Sequence, residues 1–326
     1  MPERSDLDWL NAAAALAARG RPLSRPNPAV GAIVVREGRV VGRGWTQAGG
    51  RPHAEAVALE MAGEAAHGAT LYVTLEPCAH ASGRGPACAD LVTTAGFARV
   101  VAGVRDPDPR TAGKGLARIA AAGIATGLVP CPAAEASLAG YQKRQREGRP
   151  HITLKLALSV DGCIALASGE SRWITGPEAR AHAHLERANS DAILVGGGTL
   201  RADEPKLDVR LTGLEARSPQ RWVLTRSMAP KGWNALPSPD HLSAIDAQYL
   251  LVEGGAHVAA AFLEADLVDR LLIYRAPIVI GGGHPGIADF GLADLAAAHG
   301  RWRKTDTRRL GNDTLDVYER FRCSPA

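Results

Sequence analysis

The chain has 326 residues, which at roughly 150 residues per domain points to two domains. Hydrophobic residues supply 46% and charged residues 22%, a globular balance that excludes a disordered or fibrous chain; aromatics at 5% imply tight, alanine-rich aliphatic cores. A formal charge of +4 suits phosphorylated ligands and is too small to argue for nucleic acid without a clustered basic patch.

Residues 6–19 carry leucine and alanine at helical spacing and stop at Gly20, which predicts a helix. The N-terminal stretch has early acids and no sustained apolar run, so no signal peptide is expected; no apolar run approaches about eighteen residues, so no membrane span is expected either. Asn27-Pro28 makes a turn before a strand over 30–35, and a second run over 40–44 completes a hairpin. His53 opens an alanine-rich helix that closes before Gly68. A strand over 69–75 runs into Glu76-Pro77-Cys78, a helix follows over 88–95, then a strand over 99–104 and a helix over 114–124. The alternation predicts a layered α/β domain with a largely parallel sheet.

Residues 141–150 are basic, polar and closed by Gly-Arg-Pro, which predicts a linker. The domains are therefore drawn as 1–145 and 150–326. From His151 a second α/β pattern begins, with strands over 152–162, 192–198, 221–226, 249–255 and 270–280. Helices are expected over 177–188 and 256–268. Five cysteines (Cys78, Cys88, Cys131, Cys163 and Cys323) do not make a disulfide framework in a chain this long. They suggest a reducing compartment, hence the cytoplasm, and a metal site. Cys163 is expected as a small buried thiol, and Cys131 and Cys323 are given no role.

The sharpest chemical signal is His53-Ala54-Glu55 followed by Pro77-Cys78 and Cys88. One imidazole and two thiolates hold Zn²⁺ and leave a fourth position for water, as a catalytic zinc site requires. The metal lowers the pKa of that water towards neutrality. Glu55, two residues from the ligand at a helix start, reaches the same pocket and shuttles protons to departing ammonia. A helix N-terminus at Cys88 favours its thiolate. His80 is a rival ligand by type, but it lies two residues past Cys78 and is read as a loop or substrate-contact residue.

These residues resemble the zinc nucleobase deaminases, whose signature is H-x-E followed by P-C-x-x-C. Nine residues separate the cysteines here. In that form, TLEPCAHASGRGPAC is similar to the deaminase half of the RibD family of bifunctional riboflavin-biosynthesis enzymes, whose usual loop is one residue shorter. PNPAVGAIVV, AGGRPHAEAVAL and VVAGVRDPDP carry the same resemblance. It implies a three-layer cytidine-deaminase-like zinc domain, with substrate contacts at Asn27, Arg84, Asp106 and Asp108. Asn27 has the donor and acceptor to read a pyrimidine edge, and Arg84 suits a ribose phosphate. Turn chemistry at Asn-Pro and Asp-Pro would also account for such residues.

In the second half, Gly196 to Gly198 and Gly254-Gly255 follow apolar strands, as tight turns or as loops that let backbone amides approach a phosphate. Neither is a G-x-G-x-x-G run. LKLALSVDG, ASGESRWIT, AILVGGGTLRADEPKLDVR and LLVEGG resemble the reductase half of the same family, which implies a dihydrofolate-reductase-like α/β domain that uses NADPH. The resemblance places cofactor contacts at Ala157, Trp173, Thr199, Asp203 and the loop from Gly255. It places substrate contacts at Ser171, Arg187, Leu207, Arg210 and Glu253. Arg187 and Arg210 could clamp a phosphate and Glu253 could orient a sugar hydroxyl. Arg226 is either a reader of the cofactor's 2′-phosphate or a solvated surface residue. Lys155 is either a polar helper in the cleft or a lysine facing solvent. Two departures stand out: Cys163 replaces a basic residue, and the stretch from Arg226 to Tyr249 is short.

The expected function is bifunctional: zinc-dependent hydrolytic deamination of 2,5-diamino-6-(5-phosphoribosylamino)pyrimidin-4-one, then NADPH reduction of 5-amino-6-(5-phosphoribosylamino)uracil to the ribityl product. A deaminase with a degenerate second domain is the alternative. A nucleic-acid base deaminase is disfavoured, because residues 53–88 carry one tyrosine and little positive charge. The expected partner is a small phosphorylated pyrimidine, with no nucleic acid or membrane, and the expected assembly is a homodimer.

Overall fold

Ser5 starts the first helix, α1 (Asp6–Ala17), through a capping box: its hydroxyl accepts the Asp8 N–H and the Asp8 carboxylate accepts the Ser5 N–H. In this computed structural model, which describes residues 4–321, the chain divides into two compact units between Glu147 and Gly148. Cys323 lies outside the described residues. None of the described helices is long and apolar enough to cross a membrane.

The first unit continues with β1 (Gly31–Arg36), β2 (Arg39–Trp45), α2 (Ala54–Ala62), β3 (Thr70–Leu75), α3 (Cys88–Thr94), β4 (Arg99–Val104), α4 (Lys114–Ala121), β5 (Ala125–Leu128), α5 (Pro132–Ser137) and α6 (Ala139–Glu147). Its five-stranded sheet runs β2-β1-β3-β4-β5. The expectation of a largely parallel sheet needs correction. β1 is antiparallel to both β2 and β3, because a two-residue turn sends the chain straight back, and only β3, β4 and β5 are parallel. Helices cover both faces. A Cβ on Gly31 would stand 1.9 Å from the Ala13 carbonyl of α1, and one on Gly44 would stand 2.4 Å from the Ala54 carbonyl of α2. Glycine lets both helices lie directly on the backbone.

The expected linker is a helix over most of its length. Pro132 sits in the first turn of α5, where its missing N–H costs nothing. α6 buries Tyr141, whose hydroxyl donates to Asp106 Oδ1 at 2.8 Å. Lys143 and Glu147 pair one turn apart. The helix therefore packs as part of the first unit, despite a basic, polar composition that predicted a linker.

The second unit comprises β6 (His151–Leu158), β7 (Cys163–Ala165), α7 (Pro177–Ala188), β8 (Ala192–Gly196), α8 (Gly197–Asp203), β9 (Gln220–Leu224), β10 (Asn234–Leu236), β11 (Tyr249–Val252), α9 (Ala256–Glu264), β12 (Arg270–Arg275), β13 (His284–Pro285), β14 (Trp302–Leu310) and β15 (Asp313–Arg320). An eight-stranded sheet runs β10-β9-β8-β11-β6-β12-β15-β14, parallel through β12 and antiparallel for the final hairpin. Its centre is fully buried at Ile152, Leu154, Ile193 and Leu194, as is Phe262 of α9. The glycines after β8 are not a turn, since Gly197 and Gly198 open α8. The β14–β15 hairpin had no counterpart in the expected pattern, because β14 is mostly exposed and charged.

Just ahead of β6, Arg149 makes a buried, two-pronged ion pair with Asp269, at 2.7 and 3.0 Å, and Asp269 also accepts the Ile152 N–H. A lysine keeps the charge and loses the fork. Arg149→Lys is expected to lower stability by about 1.5–3 kcal/mol, read as a lower urea midpoint for the second unit. An unchanged midpoint would show that the fork contributes little.

Candidate active sites

In the first unit three ligand-type atoms converge. His53 caps the start of α2, Cys78 follows β3, and Cys88 is the first residue of α3. His53 Nδ1 lies 3.2 Å from Cys88 Sγ and 3.7 Å from Cys78 Sγ, and the three donor atoms all fall within 4.8 Å of one another. His80 is not part of this group; its Nδ1 lies 3.3 Å from Thr111 Oγ1. The Cys88 backbone N–H donates to Cys78 Sγ at 3.2 Å. With the Cys88 thiol also donating, Cys78 is held down as the thiolate. One imidazole nitrogen and two sulfurs, one of them already favoured as an anion, fit a zinc ion.

Glu55 is 5% exposed on the first turn of α2. Burial pushes its carboxyl up to about 7, against the pull of His53; Cys78 and Cys88 also act on it, so it belongs to the same pocket. Asn27 is placed at the candidate ligand itself. Its side-chain nitrogen lies 2.7 Å from His53 Nε2 and donates to the Gly50 carbonyl at 2.8 Å. That contact turns Nδ1 towards the sulfurs. Arg84 is exposed and donates to the Gly49 carbonyl at 2.8 Å. Asp106 is buried, with Oδ1 accepting from Tyr141 and from the Asp108 N–H. Asp108 is bound by Arg110. Arg51, which sequence reasoning passed over, donates to the Pro86 carbonyl at 3.3 Å, so it and Arg84 strap two loops reciprocally. A surface-type arginine before Pro-His gave no signal of that.

The second unit holds a cleft of about 510 Å³. Ala157, Thr199, Asp203 and Gly255 line it, as do Ser171, Trp173, Arg187, Leu207, Arg210 and Glu253. Arg226 is not among its lining residues; it is exposed, two residues past β9. Lys155 lines the cleft rather than facing solvent. Arg187 does not point into open space as a phosphate clamp would. Its Nε and Nη2 bind both oxygens of Glu253, at 2.7 and 2.9 Å, and Lys155 Nζ stands 3.8 Å from the same carboxylate. A buried anion requires such partners. Burial would raise the Glu253 carboxyl, but Lys155 and Arg187 together overcome this and hold it at about 2.

Arg210 is largely exposed, 3.5 Å from Asp208. Trp173 is 63% exposed, and the Arg180 and Arg172 guanidinium carbons lie 5.0 and 6.0 Å from its ring. Arg180 and His184, which bonds the Asp208 carbonyl at 3.1 Å, escaped the sequence because each sits in an ordinary amphipathic helix. Cys163 is buried, with its thiol 3.4 Å from the Gly281 carbonyl. Cys131 is buried too and donates to Asn11 Oδ1 at 3.4 Å.

Residues 3–104 match the cytidine and deoxycytidylate deaminase zinc-binding region, and residues 150–235 and 240–315 match the RibD C-terminal domain. The riboflavin biosynthesis protein RibD of Escherichia coli is 39% identical, over 91% of this chain and 95% of its own length. That of Aquifex aeolicus is 34% identical, over 97% and 99%.

The chain belongs to the RibD family.

A solved structure of Acinetobacter baumannii RibD matches 97% of this chain and 99% of its own, with a TM-score of 0.85 at 34% identity. A Thermotoga maritima structure described as a diaminohydroxyphosphoribosylaminopyrimidine deaminase/5-amino-6-(5-phosphoribosylamino)uracil reductase matches the same shares, with a TM-score of 0.86 at 29% identity. Like other RibD proteins, this one is a bifunctional deaminase and reductase of riboflavin biosynthesis, and both domains are present. The match to full-length RibD relatives supports this bifunctional reading over a deaminase with a degenerate second domain. The RibD C-terminal domain brings a nicotinamide cofactor into the second unit.

Proposed function

We propose that the first unit hydrolytically deaminates 2,5-diamino-6-(5-phosphoribosylamino)pyrimidin-4-one and that the second reduces the ribosyl chain of 5-amino-6-(5-phosphoribosylamino)uracil to ribityl with NADPH. The observation that carries this is the convergence of His53, Cys78 and Cys88 beside a buried Glu55, on the chain that also holds the Glu253 cleft. His53, Cys78 and Cys88 would hold Zn²⁺, which when bound acidifies water in the pocket. Glu55, poised near neutrality, takes a proton from water as the water oxygen bonds to the amino-bearing carbon, and passes that proton to the amino group as the C–N bond breaks and ammonia leaves. Asn27 holds the His53 ring. Arg84 and Asp106 bind the substrate.

In the second unit Ala157, Trp173, Thr199, Asp203 and Gly255 bind NADPH in the cleft, with Arg226, outside the lining residues, reserved for the 2′-phosphate; the nicotinamide supplies a hydride when bound. Ser171, Arg187, Leu207, Arg210 and Glu253 bind the phosphoribosyl substrate. The protein's contribution there is alignment, and the ionised Glu253 accepts from a sugar hydroxyl while Arg187 keeps it in place. The enzyme acts in the cytoplasm as a homodimer on a small molecule, with no nucleic acid or membrane partner.

A mass-resolved product assay tests both activities. Zinc-loaded protein given the diaminopyrimidine alone is expected to yield the aminouracil, and with NADPH the ribityl product. Deamination that stops at the aminouracil despite NADPH would remove the second activity. No turnover with zinc bound would overturn the proposal.

A further inference from the structure

Glu76 lies between the end of β3 and Pro77-Cys78 and is 2% exposed. Its carboxylate accepts four backbone N–H groups. Oε1 takes those of Gly115 and Leu116, at 3.0 and 3.1 Å; Oε2 takes those of Gly113 and Asp106, at 2.9 and 3.3 Å. Three of the four come from the start of α4, where N–H groups have no partner within the helix and the dipole favours an anion. The fourth comes from the loop after β4. One buried charge therefore gathers the end of β3, the Asp106 loop and the first turn of α4.

The grip extends to the backbone beside the candidate ligand. A Cβ on Gly115 would stand 1.9 Å from the Pro77 carbonyl oxygen, so the first turn of α4 rests directly on the peptide that precedes Cys78. Past Cys78, the Ala79 N–H donates to Thr111 Oγ1 at 3.4 Å. From the other side the Ala89 N–H donates to the Cys78 carbonyl at 3.1 Å. Cys78 is thus clamped between segment 111–116 and the start of α3, and Glu76 closes the clamp.

We propose that Glu76 is a positioning residue: it sets where Cys78 Sγ stands relative to His53 and Cys88, and it links the metal-holding loop to the Asp106 loop that meets the pyrimidine. The inference rests on the zinc assignment made above. Glu76→Gln keeps the shape but turns an amide N–H₂ towards two N–H donors, so at least two of the four bonds are lost.

The probe is Co²⁺ alone, titrated into metal-free protein, with its visible and thiolate absorption as the readout. Glu76→Gln is expected to weaken Co²⁺ binding about 10- to 100-fold, to shift the absorption bands, and, once loaded, to raise KM for the pyrimidine. Ile119→Val, a buried change in the body of α4, is expected to lower the melting temperature and leave affinity and spectrum alone. Wild-type protein that fails to bind Co²⁺ would remove the zinc assignment itself. Wild-type binding with an equal affinity and spectrum in Glu76→Gln would make Glu76 a structural cap and overturn the inference. If Glu76→Gln cannot be recovered folded, Gly115→Ala carries the test, since it keeps the carboxylate and displaces the Pro77 carbonyl; unchanged Co²⁺ binding there is equally fatal.

Discussion

Glu55→Gln is expected to cut deamination by about 10²- to 10⁴-fold while zinc content and NADPH-dependent reduction of supplied aminouracil stay at wild-type levels. Glutamine fills the same volume at the first turn of α2 and leaves His53, Cys78 and Cys88 in place. What it removes is a carboxyl that burial has raised to about 7, well placed to accept and return a proton near neutral pH. Metal analysis beside a coupled ammonia assay checks the result. Residual deamination within a few-fold of wild type would show that another group moves the proton. Loss of zinc together with activity would make Glu55 a support for the site.

Glu253→Gln should have the largest effect on the second unit. It leaves the Arg187 and Lys155 cations facing each other without their anion. Breaking a buried pair in this way costs about 3–5 kcal/mol, and the reductase should fail while the deaminase survives. The pH dependence has a definite sign. The folded pKa of Glu253 is depressed to about 2 by Lys155 and Arg187 acting against burial, whereas an unfolded glutamate titrates near about 4.3. A depressed carboxyl contributes its stability above the unfolded value and loses it as pH falls through the folded one. Urea midpoints of wild type and Glu253→Gln should therefore differ fully above about pH 5 and converge towards pH 2. A gap that does not narrow on acidification would locate the energy in packing instead.

The parts legible in the sequence are those where one local rule dominates. Residues 70–75, TLYVTL, are a run of β-branched, aromatic and aliphatic residues between turn signals, and β3 forms there. α7 begins at Pro177 and carries alanines on one stripe. The candidate ligands were legible because zinc needs few residue types; His53 and Cys88 mark helix starts, and Cys78 lies in the loop shortly after β3. The rest depends on partners far along the chain. α6 reads as polar until Tyr141 finds Asp106, 35 residues away. Asn27 reads as a pyrimidine contact, and only the fold shows that its side chain also meets His53. Arg187 reads as a phosphate clamp, and only the fold shows that Glu253, just past β11, occupies its fork. Nothing in the pattern of β14 resembles a strand, because its exposed side chains have no core to alternate towards.

That same strand governs how molecules meet. β14 closes one end of the eight-stranded sheet, and its outer N–H and C=O groups could template a strand from another chain. Its nine residues, WRKTDTRRL, carry four cations and one anion. Two copies brought edge to edge would press those cations together, and the lysine and arginines keep their hydration only if the second chain stays away. Charge of this kind on an exposed edge disfavours the strand-to-strand association that would extend the sheet through its neighbours.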